Sequence, residues 1–352
     1  MTTRPEKRKE RDTPSMNSRE RVKRAITFES PDRPPISHAI LPAAQIKYGE
    51  ALDEILGEVH EDFGWHLLPD MKREDFPPLY RGGRNRDDFG TVWHVEREGI
   101  CGIPVDFPLA DWGRYDEYEW PTLNAGPPTT RLYSGHMAGY HKDYYARGAW
   151  IVFFEQMQQL RSMENLLIDL AEESREVYRL RDDLLAFNLR WIDGWLEHEY
   201  DGLHFADDWG SQTSLLISPD LWRRFFKPVY KTMFDKVDRA GRDVWYHSDG
   251  NIIDILPDLI EIGVKVLNCQ APAIGLDVLA RDFAGKVCFR TDLDRQQVMP
   301  FGTPDDVRRH VRDVFDHLGS PEGGIVACGE IGPDVPLDNI RAMYREFMDF
   351  AY

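Results

Sequence analysis

From Ala149 onward the chain alternates two textures: short, continuously apolar runs and longer stretches with apolar residues at helical spacing. The runs "AWIVFF", "DGLHFA", "DVWYH", "VKVLN", "KVCFR" and "GGIVA" are too short for helices and too uniformly apolar for half-exposed strands. They predict strands buried on both faces, as in a parallel sheet covered by helices. Between them lie amphipathic helices. In "SPDLWRRFFKPVYKTMFDKV", Ser218 is placed to cap, Pro219 suits the first turn, and Leu221, Trp222, Phe225, Val229 and Met233 form the apolar stripe. In "TPDDVRRHVRDVFDHLG", Thr303 and Asp306 form a capping-box pattern before Val307, Val311, Val314, Phe315 and Leu318. Pro257 predicts a kink or restart in "NIIDILPDLIEIG".

Upstream, Asn17 caps a short helix with Val22, Ala25 and Ile26 on one face, and "PPISHAIL" reads as a first strand. Residues 60–148 are less regular. There Asp87–Gly99 alternates like a hairpin, and "GIPVDFPLADW" and "EWPTLNAGPPTT" read as connections rich in Pro and Gly. Two further strands are expected in this irregular region. The repeated strand–helix units predict a (β/α)8 TIM barrel with an N-terminal helix and an irregular insertion near 60–148. The expected organisation is a disordered tail over 1–16 and one domain over 17–352. An open doubly wound sheet is disfavoured, because no Gly-rich phosphate loop follows an early strand.

The formal net charge of −18 argues against a phosphate-backbone partner. No run approaches the ~20 apolar residues of a membrane span. The four cysteines, Cys101, Cys269, Cys288 and Cys328, have no CxxC pairing and suit reduced thiols of a cytoplasmic protein.

In a parallel barrel the C-terminal strand ends converge on one rim, where active sites are built. The residues after the apolar runs are Glu155, then Asp207-Asp208-Trp209, then His247 and Asp249, Asn268 and Gln270, Asp292, and finally Cys328 and Glu330. Polar groups in such positions are costly to bury and suit a shared cavity. Asp207, Asp208 and Glu155 are the candidates for proton transfer. Trp209, Asn268, Gln270, Asp292 and Glu330 are the candidates for substrate contact, although Trp209 suits plain packing equally well. His247, Asp249 and Cys328 could supply three ligands to a catalytic zinc. Each carries a plainer alternative: an Asp or Asn after a strand often caps the next helix, as Asp249, Asn251 and Asp294 could, and a free Cys is commonly an apolar filler.

The segments "SRERVKRAITFESPDRPPI", "LISPDLWRRFFKPVYKTMFD", "HSDGNIIDILPDLIEIGVKVLN" and "PDVPLDNIRAMYREF" resemble the uroporphyrinogen decarboxylase superfamily. That group includes heme-pathway decarboxylases and cobalamin-dependent methyltransferases, and the resemblance implies a TIM barrel. The decarboxylases carry a "RQAGRY"-like segment whose arginines hold the porphyrinogen carboxylates; here no arginine occurs between Pro34 and Lys72. A substrate with many carboxylates needs clustered cations. The methyltransferase branch implies a His-x-Cys zinc site with a later Cys. The corresponding positions are His247, Asp249 and Cys328, so aspartate stands where that branch has its first thiolate. The resemblance therefore implies zinc-assisted methyl transfer between a small methylated molecule or thiol and a corrinoid carried by a partner protein. It also implies relatives that are commonly homodimers. A metal-free lyase acting on a tetrapyrrole or a smaller acid is the competing expectation, and a non-catalytic binding barrel is a third.

Overall fold

A computed structural model describes residues 16–68, 72–122 and 142–351. The tail expected over 1–16 lies outside the described residues except for Met16, as does most of "EWPTLNAGPPTT".

The apolar runs form one parallel sheet. Its strands are β5 (Arg147–Val152), β6 (Gly202–Ala206), β7 (Asp243–Ser248), β8 (Val266–Cys269), β9 (Cys288–Arg290) and β10 (Ile325–Val326), hydrogen-bonded in that order. Beyond β10 the chain continues into β11 (Glu330–Ile331), which pairs in parallel with β1 (Ala39–Ile40), and Ile36 bridges Ala327. The remaining gap is closed without a regular strand. Asp62 N–H donates to Ile36 O at 2.9 Å, and Tyr145 N–H donates to Asp62 O at 3.2 Å. The fully buried Asp62 carboxylate pins this stave by accepting from Ile36 N–H and pairing with Arg21 and Arg33. The architecture is a (β/α)8 barrel. Of the two strands expected in the irregular region, one is this stave at Asp62.

The rest of that region forms an antiparallel sheet of β2 (Gly83–Arg86), β3 (Val92–Val95) and β4 (Ile103–Asp106). The hairpin expected over Asp87–Gly99 is displaced: Asp87–Gly90 form its turn, where Asp87 Oδ1 accepts from Thr91 N–H.

Local signals were followed closely. Ser218 caps Pro219–Phe225, and Thr303 and Asp306 make the reciprocal capping box of Pro304–Leu318. Two long helical stretches are broken in ways their apolar spacing did not announce. Ser162, at φ 75°, ends one helix and caps the next, and Phe226 separates Pro219–Phe225 from Lys227–Arg239, which takes Pro228 in its first turn.

The floor of the barrel is mostly apolar and aromatic, with the buried Arg147 guanidinium stacked on Phe63 and Trp245. Phe63, Tyr145, Trp245, Val266, Cys288 and Val326 pack beneath Val22 and Ile26 of the N-terminal helix, which plugs that end. Chemistry is left to the opposite rim.

Candidate functional site

The loops leaving β6 and β7 are pressed together. Gly250 has φ +76°, and a Cβ there would lie inside the backbone of Gly210, while a Cβ on Gly210 would strike Gly250 and Asn251. Gly210 N–H donates to Asp249 O at 3.1 Å, and Asn251 N–H donates to Ser211 O at 2.8 Å. This contact brings Asp208 and Asp249 together, and Asp208 Oδ1 accepts from Asp249 N–H at 2.9 Å. Only glycine permits so close an approach at a positive φ.

Between the two carboxylates stands His247. Its Nε2 lies 3.7 Å from Asp208 Oδ1 and 3.4 Å from Asp249 Oδ1. Its Nδ1 lies 2.8 Å from Asn268 Oδ1, an atom that also accepts from Arg290 Nη1 at 2.8 Å. Arginine can only donate, so that atom of Asn268 must be the oxygen, and Asn268 Nδ2 donates in turn to Arg290 O. His247 Nδ1 therefore carries a hydrogen, and Nε2 is the ring nitrogen that faces the two carboxylates. Such a cluster of donor atoms is held together by a proton on Nε2 or by a metal cation among them.

The geometry suits a metal. Bonds of ~2.0–2.2 Å at tetrahedral angles separate donor atoms by about 3.3–3.6 Å, close to the separations found. Among the described residues, Asp208, His247 and Asp249 are the group whose donor atoms all lie within 4.8 Å of one another. Asp208, expected to transfer protons, is thus among the converging donors. Cys328 lines the same cavity but is not one of them; Thr291 Oγ1 fixes its backbone at both N–H and C=O.

The cavity is lined by His247, Asn268, Asp292, Arg295 and Glu330, with Trp150 as an aromatic wall. Trp150 arrives there through a bulge. The β5–β6 register slips between Gly148 and Ile151, where Ala149 takes φ 63°. Bulges commonly re-aim a side chain beside a site.

The electrostatics are strongly acidic. Glu155 makes no side-chain hydrogen bond among the described residues, and burial followed by the charges of Asp208, Asp207 and Asp249 pushes its carboxyl well above the usual range. Burial likewise raises Asp292 to about 7 despite Arg295 beside it. Arg295 partly offsets this charge by donating to Asp249 Oδ1 at 2.5 Å and to Glu330 Oε1 at 3.0 Å.

Other expected site residues serve the scaffold. The Asp207 carboxylate accepts from the N–H groups of Phe153 and Glu155 and from Tyr230 O–H, holding the start of helix Phe154–Arg161. Trp209 is fully buried, stacked on Phe154 at 4.0 Å, with Nε1–H donating to Tyr246. Gln270 Oε1 accepts from Gly250 N–H and steadies the loop. Asp294 caps the turn after it by accepting from Gln296 and Gln297 N–H.

Sequence reasoning missed Arg295, Arg290, Trp150, Tyr80 and Cys101. The last two belong to the insertion, which docks through Ala43 N–H donating to Gly99 O. Cys101 keeps exposed surface, yet loss of surrounding water and the carboxylates of Glu155 and Asp208 push its thiol up to about 11. Tyr80 is raised by burial and by the charges of Cys101, Glu330 and Glu155. Both thus lie within electrostatic reach of the acidic residues of the mouth. An acid-to-arginine spacing such as Asp292 to Arg295 was the one available signal.

Known proteins bear on the fold. A methyltransferase from Methanosarcina mazei superposes with a TM-score of 0.63 over 95% of this chain and 99% of its own, at 14% sequence identity. A B12-independent methionine synthase from Shewanella sp. W3-18-1 (11% identity, 49% of this chain and 54% of that one) reaches a TM-score of only 0.31. The 3-keto-D-glucoside 4-epimerase YcjR from E. coli (13% identity, 52% and 85%) reaches 0.34. No curated protein matches the sequence significantly. No helix among the described residues is long and apolar enough to cross a membrane. The family description of uroporphyrinogen decarboxylase matches residues 146–349, more than half of the chain and every strand from β6 to β11. The chain belongs to the uroporphyrinogen decarboxylase family.

Proposed function

We propose that this protein is a metal-assisted methyltransferase, moving a methyl group between a small methylated molecule and a corrinoid presented by a partner protein. The observation that carries the reading is the convergence of His247 Nε2 with the carboxylates of Asp208 and Asp249 at the barrel mouth. The shared fold of the M. mazei methyltransferase supports it at the level of architecture.

Asp208, His247 and Asp249 would hold a divalent ion such as zinc. When bound, that ion supplies Lewis acidity to a substrate oxygen or sulfur. The chain's own groups do the rest. Asn268 fixes the imidazole, Trp150 walls the cavity, and Arg295 restrains Asp249 and Glu330. Glu155, held protonated by burial and by its acidic neighbours, keeps a proton beside the site for a departing oxygen. A corrinoid-bearing partner would approach over the same mouth.

The lyase reading meets an adverse charge balance. The carboxyl groups of Glu155, Asp208, Asp249, Asp292 and Glu330 crowd the mouth, and among its lining residues Arg290 and Arg295 are the arginines. A tetrapyrrole bearing many carboxylates would be repelled.

Metal analysis of protein purified without chelator tests the reading. About one divalent ion per chain is expected, lost in His247→Ala, together with methyl transfer to added corrinoid. A metal-free protein that takes up no zinc and converts uroporphyrinogen would replace this proposal with the lyase.

A further inference from the structure

Among the described residues, one cation in the mouth has no counter-charge. Arg290, at the end of β9, is 5% exposed and forms part of the cavity wall. Its Nη1 donates to the amide oxygen of Asn268, and its Nη2 makes a long 3.4 Å contact with the carbonyl of His38. Its Nε is buried without a partner. Both acceptors are neutral, and among the described residues no carboxylate lies within ion-pair distance of it. The nearby Cys328 thiol does not supply the missing charge, because burial raises it and favours the neutral form. Arg295 differs entirely, since Asp249 and Glu330 occupy its nitrogens.

A buried guanidinium keeps its proton and is costly unless paired. The ill-satisfied edge of Arg290 is the Nε/Nη2 edge, the planar fork that receives a carboxylate through two parallel hydrogen bonds. We propose that Arg290 anchors the carboxylate of a small anionic ligand in this cavity, so that the substrate is a monocarboxylic acid. The placement has a consequence for orientation. Arg290 is joined to His247 through the single oxygen of Asn268, and the far nitrogen of His247 faces Asp208 and Asp249. An acid gripped by Arg290 would lie across one imidazole and one amide from those carboxylates. This rests on reading the mouth as a small-molecule site, but not on methyl transfer.

The test compares charged and neutral isosteres by calorimetric titration of the full chain: benzoate against benzamide, and acetate against acetamide. A charge-assisted fork is worth roughly a tenfold preference or more, so benzoate should bind at least about tenfold tighter than benzamide. The preference should vanish in Arg290→Gln and persist in part in Arg290→Lys. Equal binding of the isosteres, binding of neither, or a preference that survives Arg290→Gln would overturn the proposal. The wild-type comparison stands even if a variant fails to fold. Repeating it on chelator-treated protein separates Arg290 from a metal as the anion's partner: the preference should survive metal removal, and its loss there would also overturn the assignment. Metal content is measured independently. A chain that binds no metal yet prefers benzoate would sink the methyltransferase reading alone, and a metal-loaded chain indifferent to charge would sink this inference alone.

Discussion

Replacing Asn268 with alanine isolates the step on which the metal site depends. Asn268 touches no proposed ligand atom; it accepts from the far side of the His247 ring and so turns Nε2 toward Asp208 and Asp249. Without that acceptor the ring is free to turn and to place its hydrogen on Nε2. Partners of this kind are worth ~10–100-fold in metal affinity, or about 1.4–2.7 kcal/mol. The same substitution removes the donor to Arg290 O, and a buried group left unpaired costs ~1–3 kcal/mol of stability. The two losses are measured apart, by titrating zinc into chelator-treated protein and by urea unfolding. Asn268→Asp is the control: it keeps an acceptor for His247 and loses the donor. Asn268→Ala should therefore lose both affinity and stability, and Asn268→Asp should keep its affinity, its lost donor offset by a new ion pair with Arg290. Equal affinity losses in the two variants, or none in Asn268→Ala, would refute the reasoning.

Gly250→Ala should weaken zinc binding and lower stability by roughly 2 kcal/mol or more, since a left-handed residue and a backbone collision both oppose it; wild-type titration and unfolding curves would count against the loop contact. Cys328→Ala should leave zinc affinity within about twofold, whereas Asp208→Ala should lower it roughly tenfold or more; the reverse order would restore the thiol to the ligand set. Asp292 has its folded pKa raised to about 7 from 3.8, so the native state holds the extra proton between those values. Its contribution is thus fully present below about 4 and is lost as the pH rises through about 7. Asp292→Asn should flatten that part of the stability–pH curve, as followed by urea unfolding; an unchanged slope would place the titration elsewhere.

The sequence exposes what depends on period and leaves hidden what depends on direction. Strand ends were legible because buried parallel strands are short apolar runs, so His247, Asp249 and Asn268 could be placed on one rim, and β7 and β8 do put His247 opposite Asn268. Asp207 and Asp208 show where that stops. Successive residues leaving a strand point opposite ways, and nothing in "DDW" says which one enters the mouth. The structure turns Asp207 back onto helix Phe154–Arg161 and turns Asp208 toward His247. The Trp150 side chain was illegible for a related reason, since its direction follows from a bulge at Ala149, and alanine carries no signal for a left-handed backbone.

An aspartate at position 249, where the resemblance to the methyltransferase branch implies a thiolate, changes what the whole rim must do. A thiolate would bring one charge on a soft atom; Asp249 brings it on hard oxygen, and Asp208 adds a second carboxylate from the neighbouring loop. Two such carboxylates beside Glu155 and Asp292 cannot all ionise in one partly buried mouth, which is why burial and like charge raise Glu155, Asp208 and Asp292 together. Arg295 relieves part of the strain by occupying Asp249, and a divalent ion at His247 would relieve more. Arg295 and the metal therefore compete for one oxygen of Asp249. On this argument Arg295 lowers metal affinity while keeping the metal-free site folded.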